Sequence, residues 1–150
     1  MIPSLDPLTG YLPPGQYDVA WDDVVTTYGY NLRRLVLLQG LRAVLDNLAA
    51  ARCTRAYLNG SFVTAKTTPG DFDLCFEPVG INQAILDPIF KIVGPSRRIL
   101  QRAKYRGEIA SARAAADRHG TLYVNYFQRD IVGRAKGILV LDPRDDGGNP

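Results

Sequence analysis

The apolar positions of the chain fall into a few readable runs. Leu32, Leu35, Val36, Leu38, Leu41, Val44, Leu45 and Leu48 recur at three- and four-residue spacing up to Ala51, which predicts one long helix with a buried side. Asn31 stands where its N-cap belongs. Upstream, Asp18 to Tyr28 predicts a shorter helix. Trp21, Val24, Val25 and Tyr28 share its buried side, Asp22 and Asp23 fall in the first turn where the helix dipole favours carboxylates, and Gly29 ends it. Residues 1–16 contain Pro3, Pro7, Pro13 and Pro14 and are expected to form an extended arm, because proline donates no N–H and restrains the residue before it.

Beyond the long helix the pattern shortens. Arg55 to Asn59 predicts a strand stopped by Gly60, and Phe72 to Phe76 a second stopped by Pro78 and Gly80. Asn82 to Ile92 fits no single element, since Pro88 interrupts it. Ser96 to Arg106 predicts a helix capped by Ser96, and the alanine-rich stretch Ile109 to Arg118 a further helix ending before Gly120. Thr121 to Gln128, with its aromatic and β-branched residues, predicts a strand, and Gly137 to Asp142 the last one. Helices interleaved with short strands indicate an α/β (α+β) domain, a mixed sheet flanked by helices. It is expected to span residues 17–143, between the arm and a flexible tail at 144–150.

The length of 150 residues suits one domain, and 46% apolar with 22% charged residues excludes wholesale disorder. Arg33, Arg34, Arg42 and Asp46 interrupt the longest apolar stretch, so no membrane span is expected. The first residues lack the basic flank and apolar core of a secretory signal, and two cysteines cannot form a disulfide framework. A cytoplasmic location is the expectation. The net charge of +3 is unevenly spread: residues 1–90 carry −3, whereas residues 91–118 carry +6 from eight basic and two acidic side chains. A basic segment of this kind attracts phosphates of nucleotides or nucleic acid, or is simply a solvated helical face. Within it Arg97, Arg98, Arg102 and Lys104 fall on adjacent helical turns, as candidates to contact phosphate or an acidic partner.

The segment from Leu58 to Leu74 carries most of the chemistry. A strand runs into Gly60-Ser61, a nine-residue loop follows, and Asp71-Phe-Asp73 opens the next strand. Asp71 and Asp73 are two apart, so in a strand both carboxylates leave the same face, with Cα atoms roughly 6–7 Å apart. Two such charges repel, and a hard divalent cation such as Mg²⁺ relieves that. Gly60 lets a phosphate approach the backbone, Ser61 adds a hydroxyl donor, and Lys66 lies in the loop within reach of a triphosphate.

With these residues in view, the chain resembles the nucleotidyltransferase superfamily of DNA polymerase beta in its minimal form, whose signature is a strand, Gly-Ser, a variable loop and Asp-x-Asp. It also looks like an uncharacterised bacterial and phage branch of that superfamily, through Tyr11-Leu-Pro-Pro-Gly15, Gly60-Ser-Phe-Val-Thr64, Pro69-Gly-Asp-Phe-Asp73, Tyr126-Phe-Gln-Arg-Asp130 and Lys136-Gly-Ile138. The resemblance implies a palm-type mixed sheet, a two-metal site with Mg²⁺ or Mn²⁺ on Asp71 and Asp73, a nucleoside triphosphate substrate, and transfer of a nucleoside monophosphate to an acceptor. The acceptor is a small molecule, a tRNA end or a protein side chain.

The superfamily uses a third carboxylate on a later strand. The matching position in the strand expected at Thr121–Gln128 is Asn125, an amide that neither carries a charge nor accepts a proton. Asp142, Asp130 and Glu77 are the possible substitutes. This departure motivates a second reading, in which the fold serves as a weakened subunit of a toxin–antitoxin or phage-defence pair and acts by binding a partner protein. A third reading is nucleic-acid binding through residues 91–118. His119, beside Gly120, is read as a turn residue, and Cys53 and Cys75 as buried inert thiols. Trp21, Tyr105, Tyr123, Tyr126 and Phe127 are read as core or sheet-face residues.

Overall fold

Asn31 caps the long helix as its position predicts: its side chain accepts the Arg34 N–H at 2.9 Å, and the helix α2 runs Leu32–Ala50. The computed structural model describes residues 1–147. Ahead of α2 lie β1 (Gln16–Asp18) and α1 (Trp21–Tyr28). After it come β2 (Ala56–Asn59), β3 (Phe72–Phe76), α3 (Ser96–Tyr105), β4 (Gly107–Ser111), α4 (Tyr123–Tyr126) and β5 (Ile138–Leu141). The five strands form one mixed sheet in the order β1-β5-β2-β3-β4. Strand β2 is antiparallel to both β3 and β5, whereas β3 pairs with β4 in parallel through the crossover that holds α3. The domain is α+β.

Side-chain alternation gives the sheet two different faces. On one, Leu58, Phe72, Leu74, Ile109, Leu139 and Leu141 pack with Trp21, Val24 and the inner residues of α2 into the main core. On the other, Tyr57, Cys75, Ile138 and Val140 lie under Val124 and Phe127. This second face is only partly covered, and its open end carries the polar residues Asn59, Asp73 and Glu108.

Two expected elements exchange character. The alanine-rich stretch expected as a helix from Ile109 to Arg118 is β4 followed by turns. Arg106 takes a left-handed conformation (φ 67°) that ends α3, and Gly107 opens the strand because the Phe72 ring occupies the space a side chain would need. Ala112 is fully buried in the second cluster with Val124. Conversely, Thr121 to Gln128 is not a strand. It holds the single helical turn α4, whose Tyr123, Tyr126 and Phe127 rings pack on one another at 5.7–6.4 Å.

The edge of the sheet at β4 is closed by a side chain. Gln101, fully buried on α3, accepts the Ile109 N–H at 2.8 Å and donates to the Ile109 carbonyl at 2.9 Å, as a neighbouring strand would. The arm holds no helix, turns at residues 7–9 where Asp6 bonds to Gly10 and Tyr11 through the backbone, and is not free. Its end is the short strand β1, parallel to β5, and the Leu12 carbonyl accepts the Gly137 N–H at 3.0 Å. Part of the expected tail is also tied down. Asp145 accepts the Trp21 N–H at 2.8 Å, and Arg42 donates to the carbonyls of Pro143 and Asp145 at 2.8 and 2.7 Å. Residues 148–150 of that tail lie outside the described residues.

Candidate functional site

Strand β2 ends at Asn59, paired with Asp73, and the chain turns sharply at Gly60 with φ 85°. A Cβ at Gly60 would press into the Asp73 carboxylate, so both backbone conformation and close approach demand glycine there. Ser61 to Val63 then form a 3₁₀ turn.

The loop that follows is gripped from beneath by the start of α2. Arg34, fully buried, donates to the carbonyls of Phe62 (2.6 Å), Thr64 (3.1 Å) and Lys66 (2.5 Å). Its guanidinium lies 4.8–5.6 Å from the ring centroids of Tyr28, Tyr30 and Phe62. Asn31 donates to the Thr67 carbonyl at 2.8 Å, while Arg33 donates to those of Pro69, at 3.0 Å, and Gly70. Six carbonyls between the two halves of the motif are thus held by three side chains of one helix terminus.

At the far end of the loop Asp71 and Asp73 meet a third carboxylate. Glu108 stands opposite Asp73 in the parallel β3–β4 register, and oxygens of Asp71, Asp73 and Glu108 all lie within 4.8 Å of one another. Arginines one helical turn apart on α3 counter two of the charges: Arg102 reaches Asp71 at 3.1 Å, and Arg98 reaches Glu108 at 3.3 Å. Asp73 has no such partner among the described residues. Burial, reinforced by Asp71 and Glu108, pushes its carboxyl from 3.8 up to about 7, against the weaker pull of Lys136 and Arg98. Burial also raises Glu108, with Arg98 opposing.

Asp73 and Glu108 open into a cleft of about 910 Å³. Arg97, Arg129 and Lys136 line its other walls and join no ion pair among the described residues. Lys136 is half-buried, which lowers its pKa although Asp73 favours its charge. Its ammonium lies 5.7 Å from the Tyr11 ring centroid. Asp130 orders the loop that presents Arg129 and Lys136, accepting from Tyr11 Oη at 3.1 Å and from Arg134 at 2.9 Å. The cleft therefore sets Asp73 and Glu108 against Arg97, Arg129 and Lys136, with Asp117 and Asp130 also in its lining.

Of the residues singled out from the sequence, Gly60, Asp71 and Asp73 come together, with Ser61 next to them. Asn125 does not take the third-ligand position. It is exposed on α4 and lines the cleft, and the carboxylate beside Asp73 is Glu108, because the neighbouring strand is residues 107–111. Asp142 and Glu77 lie at the opposite end of the sheet, paired with Arg144 and Arg113, and Asp130 is occupied by the loop it orders.

Among the expected phosphate contacts, Arg97 lines the cleft, Arg98 and Arg102 hold carboxylates, and Lys104 is bound to Asp87 at 2.6 Å, away from the cleft lining. Lys66 is exposed on the loop and outside the cleft lining. Four of the eight basic side chains in residues 91–118 are matched by carboxylates, so the stretch is no continuous basic face. His119 is an exposed turn residue whose N–H donates to Asp117, and Cys53 and Cys75 are free and buried. No helix among the described residues is long and apolar enough to cross a membrane.

Residues 3–142 match the model of the family of unknown function DUF6932, and the chain belongs to that family. No curated protein matches the chain, and no solved structure does.

Proposed function

We propose that this member of the DUF6932 family binds a nucleoside triphosphate together with Mg²⁺ or Mn²⁺ and transfers the nucleoside monophosphate to an acceptor. The observation that carries this reading is the convergence of Asp71, Asp73 and Glu108 beside the glycine turn at Gly60, at a cleft that Arg97, Arg129 and Lys136 also line. The donor set fits the ion: three carboxylates supply the hard oxygen ligands that Mg²⁺ and Mn²⁺ prefer. Bound there, the cation would neutralise the cluster and polarise the α-phosphoryl group.

The protein's own groups supply the rest. The Gly60-Ser61 turn offers backbone and hydroxyl donors to phosphate oxygens, and Arg34, Arg33 and Asn31 hold that loop in place from below. Arg97, Arg129 and Lys136 provide positive charge for the remaining phosphates, a role the sequence had suggested for Arg97 together with Lys66, Arg98, Arg102 and Lys104. Arg98 and Arg102 neutralise Glu108 and Asp71 and stand next to any phosphate bound there. The second reading, a catalytically weakened subunit of a toxin–antitoxin or phage-defence pair, was motivated by the amide of Asn125, and the Glu108 carboxylate beside Asp73 favours the first reading over it.

The test is twofold. Mg²⁺ with a nucleoside triphosphate should raise thermal stability by mass action. Incubation of α-labelled triphosphates with Mg²⁺ or Mn²⁺ and cell extract should transfer label, and the labelled fraction identifies the acceptor as small molecule, tRNA or protein. Neither stabilisation nor transfer with any of the common triphosphates would overturn the reading.

A further inference from the structure

A second cleft, of about 520 Å³, opens on the other side of the Arg97–Tyr123 pair. Arg97 donates to Tyr123 Oη at 3.0 Å, and its guanidinium lies 5.4 Å from that ring's centroid, so these two side chains form a wall common to both clefts. The floor is apolar and well buried: Phe76, Leu86 and Phe90 are each no more than 5% exposed. At the rim Val93 is 86% exposed. The only charged residues in the lining are Lys91 and Arg97, and no carboxylate faces them across the cleft. Neither forms an ion pair among the described residues. The Lys91 ammonium donates to the Gln83 carbonyl at 3.0 Å, and Arg97 donates to Tyr123 and to the Ile109 carbonyl. An apolar floor flanked by two cations that no carboxylate pairs among the described residues has the character and size of a small-molecule site, and the charge selects the ligand.

We infer that the second cleft binds a small organic carboxylate with an apolar body. The hydrocarbon or aromatic part lies on Phe76, Leu86 and Phe90, and the carboxylate meets Lys91 and Arg97. Arg97 also faces the cleft that carries Asp73 and Glu108, so the polar end of such a ligand is brought to the wall of the acidic cluster. Resting on the function proposed above, this makes the second cleft the acceptor subsite and an apolar carboxylic acid the acceptor class: a carboxylate oxygen bonds to the α-phosphorus, the bond from that phosphorus to the β-phosphate oxygen breaks, and pyrophosphate leaves with an acyl–nucleotide anhydride as product. The binding claim itself does not depend on that function.

Binding is measured by calorimetry on the full chain with octanoate and 4-phenylbutyrate, against octanol and 4-phenylbutyramide, in the absence of metal and nucleotide. The carboxylates should bind at least about tenfold more tightly than the uncharged analogues, the difference expected for losing a charge-assisted contact. Lys91→Glu and Val93→Glu change exposed side chains, so both should fold normally, and each should weaken carboxylate binding by about tenfold or more. Asp73→Asn should remove stabilisation by Mg²⁺ and nucleotide while leaving carboxylate binding intact, which separates this site from the metal site. Equal affinity for carboxylates and uncharged analogues would overturn the inference. So would no binding of either carboxylate at millimolar concentration, or indifference to both rim substitutions.

Discussion

Replacing Asp73 with asparagine removes the one carboxylate of the acidic cluster that forms no ion pair among the described residues. Its pKa lies at about 7 in the folded chain against an ordinary 3.8, because burial and the charges of Asp71 and Glu108 oppose ionisation. The sign follows from linkage. The stability associated with a protonated Asp73 is fully present below about pH 4 and is lost as the pH rises through about 7. A rise of about three pH units is worth ~4 kcal/mol at ~1.4 kcal/mol per unit. Asp73 is only partly buried, and solvent screening reduces that to about 2 kcal/mol.

In chelator near pH 8, Asp73→Asn should therefore be more stable than the wild type by about 2 kcal/mol, a melting shift of roughly 4–8 °C for a chain of this size. Near pH 4 the difference should vanish, since the wild-type group is then protonated as well. Millimolar Mg²⁺ should reverse the order near pH 8 by stabilising the wild type alone. Urea unfolding or calorimetry across that pH range, with and without Mg²⁺, reads all three. A variant less stable than wild type in chelator at every pH would refute the reasoning, and would make Asp73 a structural hydrogen-bond acceptor instead.

Other substitutions test neighbouring parts of the argument. Glu108→Gln should abolish the Mg²⁺ response of the melting temperature, whereas Asn125→Asp should preserve it; the opposite pattern would return the third-ligand position to α4. Gly60→Ala should cost about 2 kcal/mol, from a positive φ and a Cβ against the Asp73 carboxylate, and should also lose the Mg²⁺ response in the same melting assay. Arg34→Met should cost about 3–5 kcal/mol in urea unfolding, because three carbonyls lose a charged donor. A cost under ~1 kcal/mol would mean water replaces the guanidinium there.

The elements legible in the sequence are those in which local pattern and tertiary environment agree. Helix α2 has both a cap and a periodic buried side, and β2, β3 and β5 are short apolar runs bounded by glycine or proline. Residues 107–128 misled because packing overrides propensity there. Ala112 is buried in the cluster beneath α4, and the aromatics of 123–127 stabilise a helical turn through contacts with one another. Glu108 was missed for the same reason: with a helix expected to follow it, no strand placed it beside Asp73. The available signal was weak: Glu108 follows a helix-ending Arg106-Gly107 and precedes the β-branched Ile109. Arg98 and Arg102, four apart, read as a phosphate-seeking pair, but the structure shows them serving the carboxylates.

The amide of Gln101 has a consequence for how copies of this chain meet. A bare parallel edge at β4 would offer any passing extended segment a template, and the most abundant passing segment in a concentrated solution is another copy. By occupying both hydrogen-bonding groups of Ile109, Gln101 removes the central rung of that ladder. The opposite border, β1, is three residues long and is preceded by Pro13-Pro14, which leaves little ladder to extend. Neither border invites the growth of one sheet into the next. Association between copies is thereby directed to side-chain surfaces. Exchanging Gln101 for leucine, close to it in size, would keep the volume and surrender that protection, and slow aggregation on storage would be its first sign.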